Sequence, residues 1–178
     1  METESTMNNK KTKISYALIL LFGVTILTLI DQWTKALAVE YLKGQTSIKM
    51  IPGVFELQYL ENTGAAFGIL NNQQWLFYIT TILLVIVLLW LYFKLPMSKY
   101  FRPIHILLIF IIAGAFGNFI DRACNQYVID FFYFSLIDFP IFNVADIYVT
   151  VCVGLLFVLI LFRYKEEDFD LLFKSSKH

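Results

Sequence analysis

The sequence predicts a membrane α-helical fold, four transmembrane helices with a small extracytoplasmic β hairpin or cradle, on three observations. Hydrophobic residues make up 58% of the 178 positions and charged residues only 16%, well under the roughly 25% charge of an ordinary soluble domain. The apolar residues, 18 Phe among them, gather in long unbroken runs instead of recurring at the helical or strand spacing of a soluble core. Basic residues stand in short clusters between the runs at a formal net charge of zero. They offer no continuous basic face, which sets nucleic acid aside as a partner.

A helix needs about 20 mostly apolar residues to cross a hydrocarbon core about 30 Å thick. Segments 14–37, 75–93, 104–120 and 144–162 meet that requirement, and only a helix satisfies its own backbone groups in lipid. The whole chain, 1–178, then reads as a single membrane domain with outer loops 38–74 and 121–143 and a tail 163–178. Lys10, Lys11 and Lys13 before the first run, with Ala36 and Ala38 after it, imitate a cleavable leader. The apolar run from 14 to 30 exceeds the usual core of such a leader and is followed by Asp31 and Lys35, so an uncleaved first helix is expected.

Orientation follows from the basic residues. Lys10, Lys11, Lys13, Lys94, Lys99, Arg102, Arg163, Lys165, Lys174 and Lys177 fall at the termini and between spans two and three. The other two loops hold only Lys35, Lys43, Lys49 and Arg122. The positive-inside bias therefore places both termini in the cytoplasm and the two polar loops together on the outer side.

In the first outer loop, Phe55, Glu56, Leu57, Gln58 and Tyr59 alternate in polarity, and Pro52-Gly53 supplies a turn to an earlier run, which predicts a small hairpin or curved sheet at the interface. Asn62, Thr63 and Gly64 follow, leading into small residues that permit close backbone approach. Cys124 and Cys152 show no CxxC or metal-ligand spacing, and no disulfide is expected.

A charge near the hydrocarbon costs about 3 kcal/mol on insertion scales, so such residues face one another across the protein interior. Asp31 and Lys35 stand one turn apart, as a salt bridge along one helix face requires. Ala113 and Gly117 form a small-xxx-small pair for close helix packing. Asn118 and Arg122 share the next face. Asp130 sits alone in the apolar run Val128, Ile129, Phe131, Phe132, where pairing with Arg122 would account for it. Asn143 is a candidate N-cap for span four, three positions before Asp146.

Two carboxylates brought together share a proton and titrate as a unit. One, ionised, can activate water while the other, protonated, assists a carbonyl oxygen or leaving group. His105 and His178 lie far from the site and no serine has an activating context. There is no HExxH or His/Cys cluster for a metal. These residues alone leave open an intramembrane aspartate protease, a proton-coupled carrier and a scaffold whose polar groups lock the helices together.

Five segments, DQWTK at 31–35, ENTGAAFGIL at 61–70, GNFIDR at 117–122, VIDF at 128–131 and FNVAD at 142–146, resemble in order the lipoprotein signal peptidases (signal peptidase II), the membrane aspartyl proteases of bacteria. The resemblance implies removal of the signal peptide from prolipoproteins that carry a diacylglyceryl group on the cysteine destined to be the new N-terminus. It implies Asp130 and Asp146 as the catalytic pair and Asn62, Asn118, Arg122 and Asn143 as substrate-binding or dyad-positioning residues. Asp31, Lys35, Asp121, Gly64 and Gly117 fall to structural support. It further implies a multi-pass enzyme of the bacterial cytoplasmic membrane with its site at the outer face, acting on lipid-modified prolipoproteins in membrane lipid. No cofactor and no metal are implied, globomycin-type peptides are implied as inhibitors, and a monomer is expected. Ile147 departs from the family pattern, which has a small hydroxyl residue there, and the segment between the two aspartates is short.

Overall fold

A computed structural model describes residues 2–64 and 74–173. The small-residue run after Gly64, at 65–70, and the basic residues Lys174 and Lys177 lie outside the described residues. The described elements are, in order, α1 (Glu2–Leu42), β1 (Ile48–Ile51), β2 (Phe55–Asn62), α2 (Gln74–Lys94), α3 (Arg102–Asn125), β3 (Val128–Tyr133), a single 3-10 turn (Ser135–Ile137), α4 (Val144–Phe162) and α5 (Glu166–Phe173).

α1 to α4 are the membrane spans, and α3 is the central one: 56% of its most apolar stretch is buried inside the protein, against 11% for α1, 17% for α2 and 11% for α4. The three outer helices turn apolar side chains outward, as Phe22, Val87 and Phe157 do, because the solvent around them is itself apolar. Around α3, Ile104, Leu108, Ile111 and Ile112 pack with Tyr92, Leu95 and Cys152. Cys124 and Cys152 are both unbridged thiols, in accord with their spacing.

Close helix contact depends on small residues. A Cβ on Gly114 would stand 2.6 Å from the carbonyl oxygen of Ala145, and one on Gly117 would run into the Asp31 carboxylate and lie 3.3 Å from Ala145 Cβ. Gly114 and Gly117 bring α1 and α4 against α3, and Ala113, fully buried, accepts from Thr28 Oγ1 of α1 at 3.4 Å through its carbonyl.

The sheet is antiparallel in the order β1-β2-β3. Gly53, at φ 73°, makes the β1–β2 turn where Pro52-Gly53 predicts it. A third strand extends the expected hairpin into a small curved sheet. In β3, Val128, Ile129, Asp130 and Phe131 are all buried, so the strand has no exposed face and no alternating pattern to reveal it. Leu60 of β2 pairs with Asp130 of β3, and Asn62 with Val128. Ala38 and Leu42 at the end of α1 pack with Ile129 and Phe131. This is possible because the stretch of α1 from Lys11 to Leu42 has 32 residues, about 48 Å of helix, and outruns the hydrocarbon core.

Two boundaries are corrected. α1 continues to Leu42 instead of ending at residue 37, and α3 continues to Asn125 instead of 120, so Asp121 and Arg122 belong to a helix and not to the loop. α5, in the expected tail, is held by Tyr100 Oη, which donates to Asp168 Oδ2 at 2.9 Å.

Candidate active site

The site is built where α4 begins. Asn143 takes an extended backbone conformation and caps α4: its side-chain oxygen accepts from the Asp146 backbone N–H at 3.0 Å, and its own N–H donates to Asp146 Oδ2 at 3.1 Å. This reciprocal capping box satisfies groups that every helix start leaves unpaired. It also fixes the position of the Asp146 carboxylate in the first turn, where the helix dipole favours negative charge.

With its oxygen committed to the cap, the Asn143 amide must point its Nδ2 inward. It donates to Asp130 Oδ1 at 2.7 Å and lies 3.0 Å from Asn118 Oδ1 and 3.3 Å from the Ile129 carbonyl. One fully buried asparagine thus touches both acids. Asp130, held by β3, receives a second donor from Asn62 Nδ2 at 2.8 Å on its other oxygen. Asn62 is oriented in the same manner, because its Oδ1 accepts from the Gly64 N–H at 3.0 Å.

Asn118 on α3 completes the ring. Its Nδ2 donates to Asp146 Oδ1 at 2.8 Å, while its Oδ1 accepts from Lys35 Nζ at 2.9 Å. Lys35 also contacts Asp31 Oδ2 at 2.9 Å and Asp121 Oδ2 at 3.0 Å, so its three ammonium protons meet three acceptors. Asp31 Oδ1 in turn accepts from the Ala145 N–H at 2.9 Å, and Asp121 Oδ2 from the Ile129 N–H at 3.1 Å. The expected Asp31–Lys35 pair is present and extends to a triad that reaches α4 and β3.

Arg122 does not pair with Asp130, the simple account of that acid. Its Nη2 donates to the Gly64 carbonyl at 3.3 Å and its guanidinium lies 4.4 Å from the Phe77 ring centroid. Gln32 is a residue the sequence reading missed. Its Nε2 lies 2.9 Å from Asp121 Oδ1, 3.1 Å from the Gly117 carbonyl and 3.3 Å from Asp31 Oδ2. An amide beside a charged pair inside an apolar run was the available signal.

Asp130 and Asp146 line one cavity of about 1060 Å³ together with Asn62, Asn118 and Arg122. Its remaining wall is largely apolar and includes Leu60, Phe134, Ile137, Phe139, Ile147 and Val151. Ile137 and Phe139, from the segment between the two acids, show that its short length still brings it to the cavity. Ile147 faces the cavity, and both Asp146 oxygens take their donors from Asn118 and Asn143 without a hydroxyl at 147. Burial, reinforced by the charge of Asp146 and opposed by the amides of Asn62 and Asn143, pushes the Asp130 carboxyl up to about 7. Among the described residues no group of three or more His, Cys, Asp or Glu side chains is placed to hold a metal ion. Two acids on the wall of one cavity, one of them with a raised proton affinity, can serve general acid–base hydrolysis.

Comparison with known proteins gives a consistent result. The family model described as signal peptidase (SPase) II matches residues 23–162. A lipoprotein signal peptidase of Streptococcus thermophilus (strain CNRZ 1066) is 44% identical over 159 residues, covering 89% of this chain and 97% of the relative. One from Brevibacillus brevis is 44% identical over 131 residues, covering 74% and 87%. A solved bacterial membrane enzyme superposes with a TM-score of 0.73 at 31% identity, covering 83% of this chain and 92% of the other. A second, also a bacterial membrane enzyme, gives 0.69 at 32% identity, covering 82% and 94%.

Proposed function

The chain belongs to the signal peptidase II family, and from that premise we propose that it is an aspartic endopeptidase that cuts the peptide bond before the diacylglyceryl-modified cysteine of prolipoproteins. The observation that carries the aspartic mechanism is Asn143, whose side chain holds Asp130 at 2.7 Å and whose backbone N–H holds Asp146 at 3.1 Å. Both carboxyl groups are thereby kept at the wall of one cavity.

Asp130 is the member that keeps the shared proton near neutral pH, in line with its raised affinity for it. Asp146, at the start of α4, is the member that carries the charge. A water between them gives a proton to Asp146 as its oxygen bonds to the scissile carbonyl carbon, while Asp130 delivers its proton to the carbonyl oxygen. Collapse of the resulting gem-diol returns a proton to Asp130 as the carbonyl re-forms. The C–N bond breaks, and the departing nitrogen takes the proton held by Asp146. Asn62, Asn118 and Asn143 hold the two acids in place, and Arg122 borders the cavity where the substrate backbone would lie.

A polar pocket at the end of apolar helices suits a substrate whose lipid must remain in the bilayer while its peptide bond meets water. The distribution of basic residues supports a cytoplasmic location for both termini and a site at the outer face of the bacterial cytoplasmic membrane.

The test uses purified protein with a diacylglyceryl-modified precursor and its unmodified counterpart, with and without chelator, and mass analysis of the products. Cleavage of the modified precursor alone, directly before the cysteine and indifferent to chelator, is expected. Equal cleavage of the unmodified precursor would remove the lipid requirement.

A pH dependence follows from Asp130. Its folded-state carboxyl, near 7, binds a proton more tightly than an unfolded Asp at about 3.9. Its contribution to stability is therefore fully present below about 3.9 and is lost as pH rises through about 7. As the proton donor it should give kcat/KM a basic limb near that pH. A rate that stays flat from pH 6 to pH 9 would count against Asp130 as the acid.

A further inference from the structure

We propose that Lys35 is a positioning residue for the reaction, acting on Asp146 through the amide of Asn118. The inference rests on the reading of Asp130 and Asp146 as the catalytic pair and assigns to Lys35 more than support of the fold.

An amide side chain can present either its oxygen or its nitrogen to a neighbour, and the two differ little in shape. At Asn118 the choice is forced from one side. Its oxygen faces two donors, Lys35 Nζ at 2.9 Å and Asn143 Nδ2 at 3.0 Å. Its nitrogen must then face Asp146 Oδ1, where it donates at 2.8 Å. Of the two donors to Asn118 Oδ1, only the ammonium lacks any acceptor capacity. Rotation of the amide would set N–H against N–H at Lys35 and oxygen against oxygen at Asp146.

The placement of Lys35 supports the same role. A lysine on a membrane helix can snorkel its charge to the interface, yet this one is 1% exposed. The i,i+4 partner Asp31 would suffice for a structural ion pair, and Asp121 supplies a second. The third proton is spent on Asn118, one amide away from the acid.

The charged groups near Asp146 give the charge a defined sign. Arg122 of α3 and Asp130 of β3 act on it directly, and Lys35 of α1, paired with Asp31 and Asp121, reaches it through Asn118. Removing the ammonium takes positive charge away from the base. Removing the Asp121 carboxylate leaves the ammonium less neutralised and does the reverse.

The experiment measures kcat and KM against pH for Lys35→Met, Lys35→Arg and Asp121→Asn, with thermal unfolding in detergent as the fold control. Lys35→Met is expected to lower kcat about tenfold or more with KM nearly unchanged, the mark of an interaction felt in the transition state, and to move the acid limb up by about one pH unit. Lys35→Arg, which keeps the charge, should restore the limb and part of the rate. Asp121→Asn, nearly isosteric, should move the limb the other way, to lower pH.

Limbs that stay at the wild-type pH in folded variants would overturn the proposal and leave Lys35 as structural support. If Lys35→Met does not fold, the Asp121→Asn limb decides alone, and a limb that is unmoved or raised overturns it. Asp130→Asn and Asp146→Asn are run beside these variants. If either of those still cleaves, the dyad reading itself has failed; if both are inert and the limbs are fixed, only the role of Lys35 has.

Discussion

Asp130→Asn and Asp146→Asn are each expected to slow cleavage by about a hundred- to ten-thousand-fold, the range that a positioned acid or base contributes, while membrane insertion and thermal unfolding stay close to wild type. The substitution keeps the size and most hydrogen-bonding capacity of each side chain and removes only the ability to hold or release the proton. At position 130 an amide must also face two amide donors, from Asn62 and Asn143, so a small destabilisation accompanies the loss of rate. The measurement is conversion of a lipidated precursor in single turnover, alongside unfolding in detergent. Two folded variants with normal rates would remove the dyad. Two variants that unfold would return the site to a polar lock between helices, the scaffold reading that the sequence leaves open.

Gly117→Val is expected to give the largest loss of stability, about 3 kcal/mol or more. The first added carbon would enter the space of the Asp31 carboxylate and press on Ala145 Cβ at 3.3 Å. Relief would require α1, α3 and α4 to part at one level, and the Asp31 and Lys35 side chains are buried there. Separation would leave a carboxylate and an ammonium away from their partners, far costlier than a misplaced methyl group. A comparison with Gly154→Val isolates the effect, since a Cβ on Gly154 meets nothing within 4 Å. Thermal unfolding and yield of folded protein should fall sharply for the first and little for the second. Equal behaviour of the two would show that close approach at Gly117 is not required.

What the sequence conveys well is whatever a local pattern encodes. Span four is predicted at 144–162 and found at Val144–Phe162, because Asn143 marks its start and an uncharged apolar run extends beyond Asp146. The Asn143 cap is legible for the same reason, and the Asp31–Lys35 pair follows from helical spacing. β3 is hidden because a strand buried on both faces lacks alternation. The end of α3 is misplaced because Asp121 and Arg122 look like a loop to a rule about hydrocarbon thickness, whereas a helix can continue past the lipid. The attachments of Lys35 to Asn118 and Asp121 join positions more than 80 residues apart, and no local period carries such information. Gln32 escapes notice since its three partners belong to two different helices. The resemblance to a family identifies residues that the periodicities cannot join, and the geometry then supplies the contacts that motif order alone leaves unstated.

Asp31 and Ala145 stand 114 positions apart in the chain, and the hydrogen bond between them ties the first span to the last. Asn143 and Asp146 enter only with the last span, so a nascent chain with three spans in the bilayer holds Asp130 without the acid proposed as its counterpart. On the proposed dyad reading, proteolytic competence arrives with the final insertion step.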